Sequence, residues 1–152
     1  MTKRSTTHAT FVIERDYPHA PSKVFAAFAN PQSKAQWFGG PDNWEKSNYK
    51  LDFRIGGKES ISGGPPGGTV HAYSAEIWDI VENERIVLAY DMHLDAIRIS
   101  VSLATTEIKP SANGTRLTYT EQGVYLDGYD DAGQREEGTQ QLLNQLDAFL
   151  NS

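Results

Sequence analysis

The stretch GTRLTYTEQG, Gly114–Gly123, carries a carboxylate where strand alternation calls for an apolar residue. Leu117 and Tyr119 share one face, Thr118 and Thr120 the other, and period-two geometry places Glu121 on the side of Leu117 and Tyr119. An unpaired carboxylate in an interior is costly. Glu121 therefore needs Arg54, Arg98 or a tyrosine hydroxyl if it stands in a cavity wall, or water if it lies at a rim. In a wall it would be the polar group that orients an otherwise apolar ligand. A neighbouring arginine would keep it charged, whereas desolvation among aromatics would make it a proton donor. The following Gln122-Gly123 has the character of a strand end or bulge, which keeps the rim reading open.

Other chemically suggestive residues carry less. Gly56-Gly57-Lys58 partly matches a phosphate-binding loop, but Asp52 and Glu59 stand where that motif needs glycine and Ser or Thr, so a glycine bend between strands is expected. SGGPPGG, residues 62–68, has no following helix N-terminus to hold an anion and is expected as a hairpin loop able to gate a pocket. The four histidines, His8, His19, His71 and His93, show no two-His helical spacing, so no metal site is expected. His71, near Tyr73, is the one placed to face a cavity. No Gly-x-Ser-x-Gly elbow is present, and Asn113-Gly114-Thr115 is read as a turn rather than a glycosylation site.

Composition narrows the classes. A chain of 152 residues suits one domain with a core and room for a cavity. A formal charge of −6 argues against nucleic-acid binding, which uses basic patches. The absence of cysteine excludes disulfides, thiolate metal sites and cysteine nucleophiles. Neither an export signal nor a membrane-spanning run is visible, so a cytoplasmic location without membrane association is expected.

The elements that must position these groups follow from periodicity. A polar tail, residues 1–9, precedes one domain, residues 10–152. TFVIERDY reads as a strand ended by Pro18 and Pro21. SKVFAAFAN reads as a helix capped by Ser22, and PQSKAQWF as a second short helix ending before Gly39-Gly40. Six segments, YKLDFRI, KESIS, TVHAYSAEIWDIV, RIVLAYDM, IRISVSLATTEIKP and TRLTYTEQGVY, read as strands joined in antiparallel hairpins. The C-terminal segment reads as a long amphipathic helix with Leu142, Leu146, Phe149 and Leu150 on one face and the head of Arg135 reaching water. The class is α+β, an antiparallel sheet covered by the terminal helix. Trp37, Phe38 and Trp44 cluster near the second helix, and Phe53, Tyr73, Trp78, Tyr90 and Tyr119 are spread over strands, several of them suited to lining an apolar pocket.

Four segments together carry a family resemblance over nearly the whole chain after the tail: APSKVFAAFANPQSKAQWF, LDFRIGG, GTRLTYTEQG and REEGTQQLLNQLDAFL. In order and spacing the chain resembles the START/polyketide-cyclase (SRPBCC) superfamily, and more narrowly bacterial relatives of the C-terminal domain of the activator of the heat-shock-protein ATPase. The resemblance implies a helix-grip fold, a curved sheet of six or seven strands around the C-terminal helix with a cavity between. Many relatives carry Gly-Trp where this chain has Gly138-Thr139, which implies a larger cavity here. The superfamily includes lipid and hormone binders, cyclases, capture proteins and chaperone-stimulating domains.

The leading expectation is binding of a small, mostly apolar molecule by Trp37, Phe38, Phe53, Tyr73, Tyr119 and Glu121, without a cofactor. The alternatives are a cofactor-free cyclase or hydrolase using a pocket carboxylate, and a chaperone-partner module. Exposed strand edges also allow a symmetric homodimer.

Overall fold

In the computed structural model, which describes residues 3–152, the first strand β1 (Thr6–Tyr17) begins earlier than expected. Residues 6–9, read as tail, pair with the penultimate element of the chain; residues 1 and 2 of that tail lie outside the described residues. Alternation along β1 buries Phe11 and Ile13 and leaves Val12 outside.

Helix α1 (Pro21–Ala29) starts on Pro21 with Ala20 as its extended N-cap, so Ser22 lies inside the first turn and does not cap it. Proline at the first helical position has the right φ, and its missing N–H costs nothing there. Asn30 ends α1 and caps α2 (Pro31–Trp37), its side chain accepting from Gln32 N at 2.9 Å and Ser33 N at 3.1 Å. Pro31 holds Asn30 in the extended region, ψ 119°, so one residue turns the chain through the helix–helix corner.

Two short strands, β2 (Glu45–Lys46) and β3 (Lys50–Leu51), pair with β4 (Lys58–Gly64). YKLDFRI is therefore mostly not strand. After Leu51 the chain bends through Gly56, φ +84°, and Gly57, whose added Cβ would fall 1.9 Å from the Asp52 carbonyl oxygen. Gly56-Gly57 is thus a bend docked on Ile77, as expected. The sheet continues with β5 (His71–Val81), β6 (Arg85–Leu94), β7 (Ile97–Ser111) and β8 (Gly114–Leu126). Every pairing is antiparallel and the order is β1-β8-β7-β6-β5-β4-β2, with β3 also on β4.

The long helix α3 (Ala132–Leu150) is capped by Asp131, whose side chain accepts from Gln134 N at 2.9 Å. It buries Thr139, Leu143, Leu146 and Leu150 against Phe11, Ile13, Val24, Phe28 and Leu117. The expected stripe was one position off at Leu142, which is half-buried, as is Phe149. Polar contacts also tie α3 to its neighbours: Tyr17 Oη on β1 donates to the Leu143 carbonyl at 3.1 Å, and Lys23 Nζ on α1 to the Leu150 carbonyl at 2.9 Å. This is an α+β helix-grip fold. Among the described residues no helix is long and apolar enough to cross a membrane.

Candidate functional site

Two neighbouring residues in the N-terminal half of α3, Gly138 and Thr139, carry little side-chain bulk. A Cβ added at Gly138 would meet nothing within 4 Å, and Thr139 is short. A cavity of about 530 Å³ opens there between α3, the end of α2 and the inner faces of β4 to β8. Its apolar wall includes Phe38, Phe53, Ile77, Leu88, Met92 and Leu142. Trp44 and His71, stacked with ring centroids 4.7 Å apart, also line it.

At one end stands the Glu121 group. β8 turns Leu117, Tyr119 and Glu121 to the same face, and Glu121 is 1% exposed. Its Oε1 accepts from Tyr90 Oη at 2.8 Å and Tyr119 Oη at 2.6 Å. Oε2 has no hydrogen bond and lies 3.5 Å from the Arg135 guanidinium. Arg135 donates to Tyr90 Oη at 2.9 Å, Ser100 Oγ at 2.7 Å and Asp130 Oδ2 at 2.9 Å. Burial, reinforced by the neighbouring carboxylate and, at Tyr119, by Tyr90, pushes the Tyr90 and Tyr119 hydroxyls far up, so both stay protonated donors.

Glu121 is not itself on the cavity wall; it stands behind Tyr90, Tyr119 and Arg135, which are. Two expected partners are elsewhere. Arg54 pairs with Asp52 at 2.7 Å and Arg98 with Asp91 at 2.9 Å, both arginines more than half exposed. The tyrosine alternative is the one realised. The Arg135 head does not reach water: its side chain is 11% exposed, because Glu121 and Asp130 supply the countercharge that allows burial.

A second buried carboxylate, Glu59, escaped the sequence reading. It is 1% exposed on β4, accepting from Tyr73 Oη at 2.7 Å and from Tyr49 Oη, with Lys34 Nζ at 2.7 Å. Burial alone would raise the Glu59 carboxyl, but the Lys34 ammonium and the bonds from Lys34, Tyr49 and Tyr73 outweigh it and hold it below its ordinary value. Lys34 is itself 6% exposed, its Nζ 4.4 Å from the centre of the Phe38 ring. The signals were present: Glu59 alternates with Ile61 along β4, and Lys34 lies three and four residues before Trp37 and Phe38, hence on their side of α2. Rings bridge the two carboxylate groups, Phe38 to Tyr73 at 5.0 Å and Tyr73 to Tyr90 at 4.9 Å.

Of the residues singled out from sequence, Trp37, Phe38, Phe53, Tyr73 and Tyr119 all line the cavity. Trp37 is at the same time core, 3% exposed with Nε1 donating to the Ala27 carbonyl at 3.0 Å. Trp78 faces outward at 62% exposure. Among the described residues no group of three or more His, Cys, Asp or Glu side chains is placed to hold a metal ion. Both buried carboxylates accept from tyrosine hydroxyls, Glu59 on both of its oxygens and Glu121 on Oε1 alone.

The profile of one family, Activator of Hsp90 ATPase homolog 1-like protein, matches residues 18–151. Among solved structures, a protein from Rhizobium leguminosarum is 45% identical over 99% of both chains, with a TM-score of 0.94. Protein Mll3558 from Rhizobium loti is 44% identical over 95% of this chain and 99% of its own, with a TM-score of 0.88. An AHSA1-like protein from Aeromonas hydrophila, 14% identical over 94% and 92%, shares the fold at a TM-score of 0.72. No curated protein matches the chain.

Proposed function

The chain belongs to the Activator of Hsp90 ATPase homolog 1-like family, and from that premise we propose that it binds a small, mostly apolar molecule in the cavity between sheet and terminal helix. The observation that carries this is an aromatic-walled space of about 530 Å³ in which the Tyr73, Tyr90 and Tyr119 hydroxyls are already paired with buried carboxylates. Such a space accepts an apolar guest with little desolvation cost and has the size of a small-molecule site. Phe38, Phe53, Tyr73 and Tyr119 contact the guest, and Glu121 contributes indirectly by fixing Tyr90, Tyr119 and Arg135.

Titration with the fluorescent apolar probe N-phenyl-1-naphthylamine tests it. Saturable one-to-one binding is expected, accompanied by thermal stabilisation of about 2.7 kcal/mol at one hundred times the dissociation constant. Thr139→Trp places an indole on the cavity wall and should abolish binding while the protein stays folded. Absence of saturable binding, or undiminished binding to a folded Thr139→Trp variant, refutes the reading.

A chaperone-partner role is the second reading. It is favoured by exposed apolar residues on the outer sheet face, Val12 at 53%, Val101 at 43% and Leu103 at 39%. Retention of the heat-shock-protein ATPase on immobilised protein, lost on Val101→Lys with Leu103→Lys, would favour it over small-molecule binding. The acid–base enzyme reading is less favoured, because Glu121 lies off the cavity wall and Glu59 is engaged by two tyrosine hydroxyls and Lys34.

A further inference from the structure

The geometry points to Lys34 as the hydrogen-bond donor that selects the cavity's occupant, and to that occupant as an uncharged, largely aromatic molecule bearing a carbonyl oxygen. This rests on the cavity being a small-molecule site and specifies what the site recognises.

An ammonium group has three N–H donors. Among the described residues the polar partner of Lys34 is Glu59, at 2.7 Å, and the rest of its surroundings are the faces of Phe38, Phe28 and Trp37 at 4.4, 5.7 and 5.9 Å. At 6% exposure bulk solvent does not complete its shell, yet Lys34 lines the cavity. A buried donor left unmade is expensive, more so when charged. Glu59 does not depend on the lysine for bonding in the same way, since two tyrosine hydroxyls also donate to it.

Neighbouring donors are committed elsewhere. Trp37 Nε1 donates to the Ala27 carbonyl, Tyr73 Oη to Glu59, and Tyr90 and Tyr119 Oη to Glu121. Arg135 gives three of its five N–H groups to Tyr90, Ser100 and Asp130, and its guanidinium lies over the rings of Tyr90 and Tyr125, not beside Phe38. The spare donor capacity beside the Phe38–Tyr73 pair therefore belongs to Lys34, and what it lacks is an acceptor.

Charge decides what kind of acceptor. Glu59 already neutralises Lys34, and Glu121 with Asp130 more than balances Arg135. A carboxylate or sulfonate guest would add an uncompensated negative charge to a low-dielectric space, a penalty a neutral carbonyl avoids. The rings of Phe38 and Tyr73, set 66° apart, give the adjoining walls an aromatic surface.

An isosteric series tests this: 2-acetylnaphthalene, 2-isopropenylnaphthalene and 2-naphthoate, followed by equilibrium dialysis. A second readout is the ¹³C shift of a labelled acetyl carbonyl, which moves downfield when it accepts a hydrogen bond. The wild-type protein should bind the ketone at least about tenfold more tightly than the isopropenyl compound, the range of a hydrogen bond to a charged donor. It should bind naphthoate most weakly. The double variant Lys34→Met, Glu59→Gln removes both charges together and should bind ketone and alkene alike, with the downfield shift gone. Equal wild-type affinity for ketone and alkene, or tightest binding of naphthoate, overturns the assignment of the ligand while leaving apolar binding standing. So does a folded double variant that keeps the ketone preference. Failure of all three compounds to bind overturns the small-molecule site itself. The wild-type series decides between these outcomes even if no Lys34 variant folds.

Discussion

Replacing Glu121 separates a carboxylate that organises the cavity from one that merely tolerates its position. Glu121→Gln keeps an oxygen where Tyr90 and Tyr119 donate at 2.8 and 2.6 Å, but makes both bonds neutral. A bond to a charged group contributes about 1.5–3 kcal/mol and a neutral one about 0.5–1.5, so two downgraded bonds cost roughly 2–3 kcal/mol in all. Arg135 keeps Asp130 at 2.9 Å, which limits any further loss. Glu121→Leu instead leaves two buried hydroxyls without an acceptor, at about 1–3 kcal/mol each, hence roughly 2–6 kcal/mol. Urea unfolding with an unchanged slope should therefore rank wild type above Glu121→Gln above Glu121→Leu. Adding Tyr90→Phe and Tyr119→Phe to Glu121→Leu should recover part of the loss, since the orphaned hydroxyls go with their acceptor. Losses below about 0.5 kcal/mol for both single variants would mean that Glu121 is solvated, and the reasoning that ties it to the tyrosines would fail.

The remaining predictions concern the helix and titration. Leu146, fully buried on the inner face of α3, should cost ~2–5 kcal/mol as Leu146→Ala, whereas half-buried Leu142→Ala should cost clearly less by chemical denaturation; the reverse order would contradict the helix phase. The Glu59 carboxyl is held below its ordinary 4.5, so it contributes stability that is present above that value and lost as pH falls through its lower folded value. Unfolding free energy measured from pH 6 down to 3 should drop less steeply in Glu59→Gln than in wild type; parallel curves would refute the Lys34–Glu59 pairing. Burial pushes the Tyr17 hydroxyl up to about 12 and holds Tyr73, Tyr90 and Tyr119 well above their ordinary 10, so their share of stability is complete below 10 and is lost as pH rises above it. In an alkaline titration at 295 nm these phenols should ionise together with unfolding; smooth early ionisation of all seven tyrosines would show an open cavity.

What could be read in the sequence was what a local period controls. Strand alternation found the inward carboxylate Glu121 because its neighbours at two-residue spacing are Leu117 and Tyr119. Helical spacing found α3 but could not choose between Leu142 and Leu143, two identical side chains one residue apart; the phase is set by what the sheet offers beneath, where Tyr17 Oη reaches the Leu143 carbonyl. Six of the strands were legible with their hairpins, while the two-residue β2, too short to show a period, was not, and the error at β3 came from the bend at Gly56-Gly57, whose backbone contacts with Asp52 and Ile77 are tertiary.

The charged partners were illegible for a different reason. Lys, Glu and Arg are rarely buried unless paired, so a single residue on a helix or strand is sensibly assigned to solvent until its partner is known. For Lys34 and Glu59 that partner lies across a helix–strand contact, and for Arg135 across three elements, Glu121 on β8, Ser100 on β7 and Tyr90 on β6. Of the three, only the Arg135 head was expected in water, and that expectation was reversed by countercharges contributed from elsewhere. The same circumstance bears on specificity. When most polar groups around a cavity satisfy one another, discrimination between guests falls to donors whose capacity is left over, and beside the Phe38–Tyr73 pair that residue is Lys34.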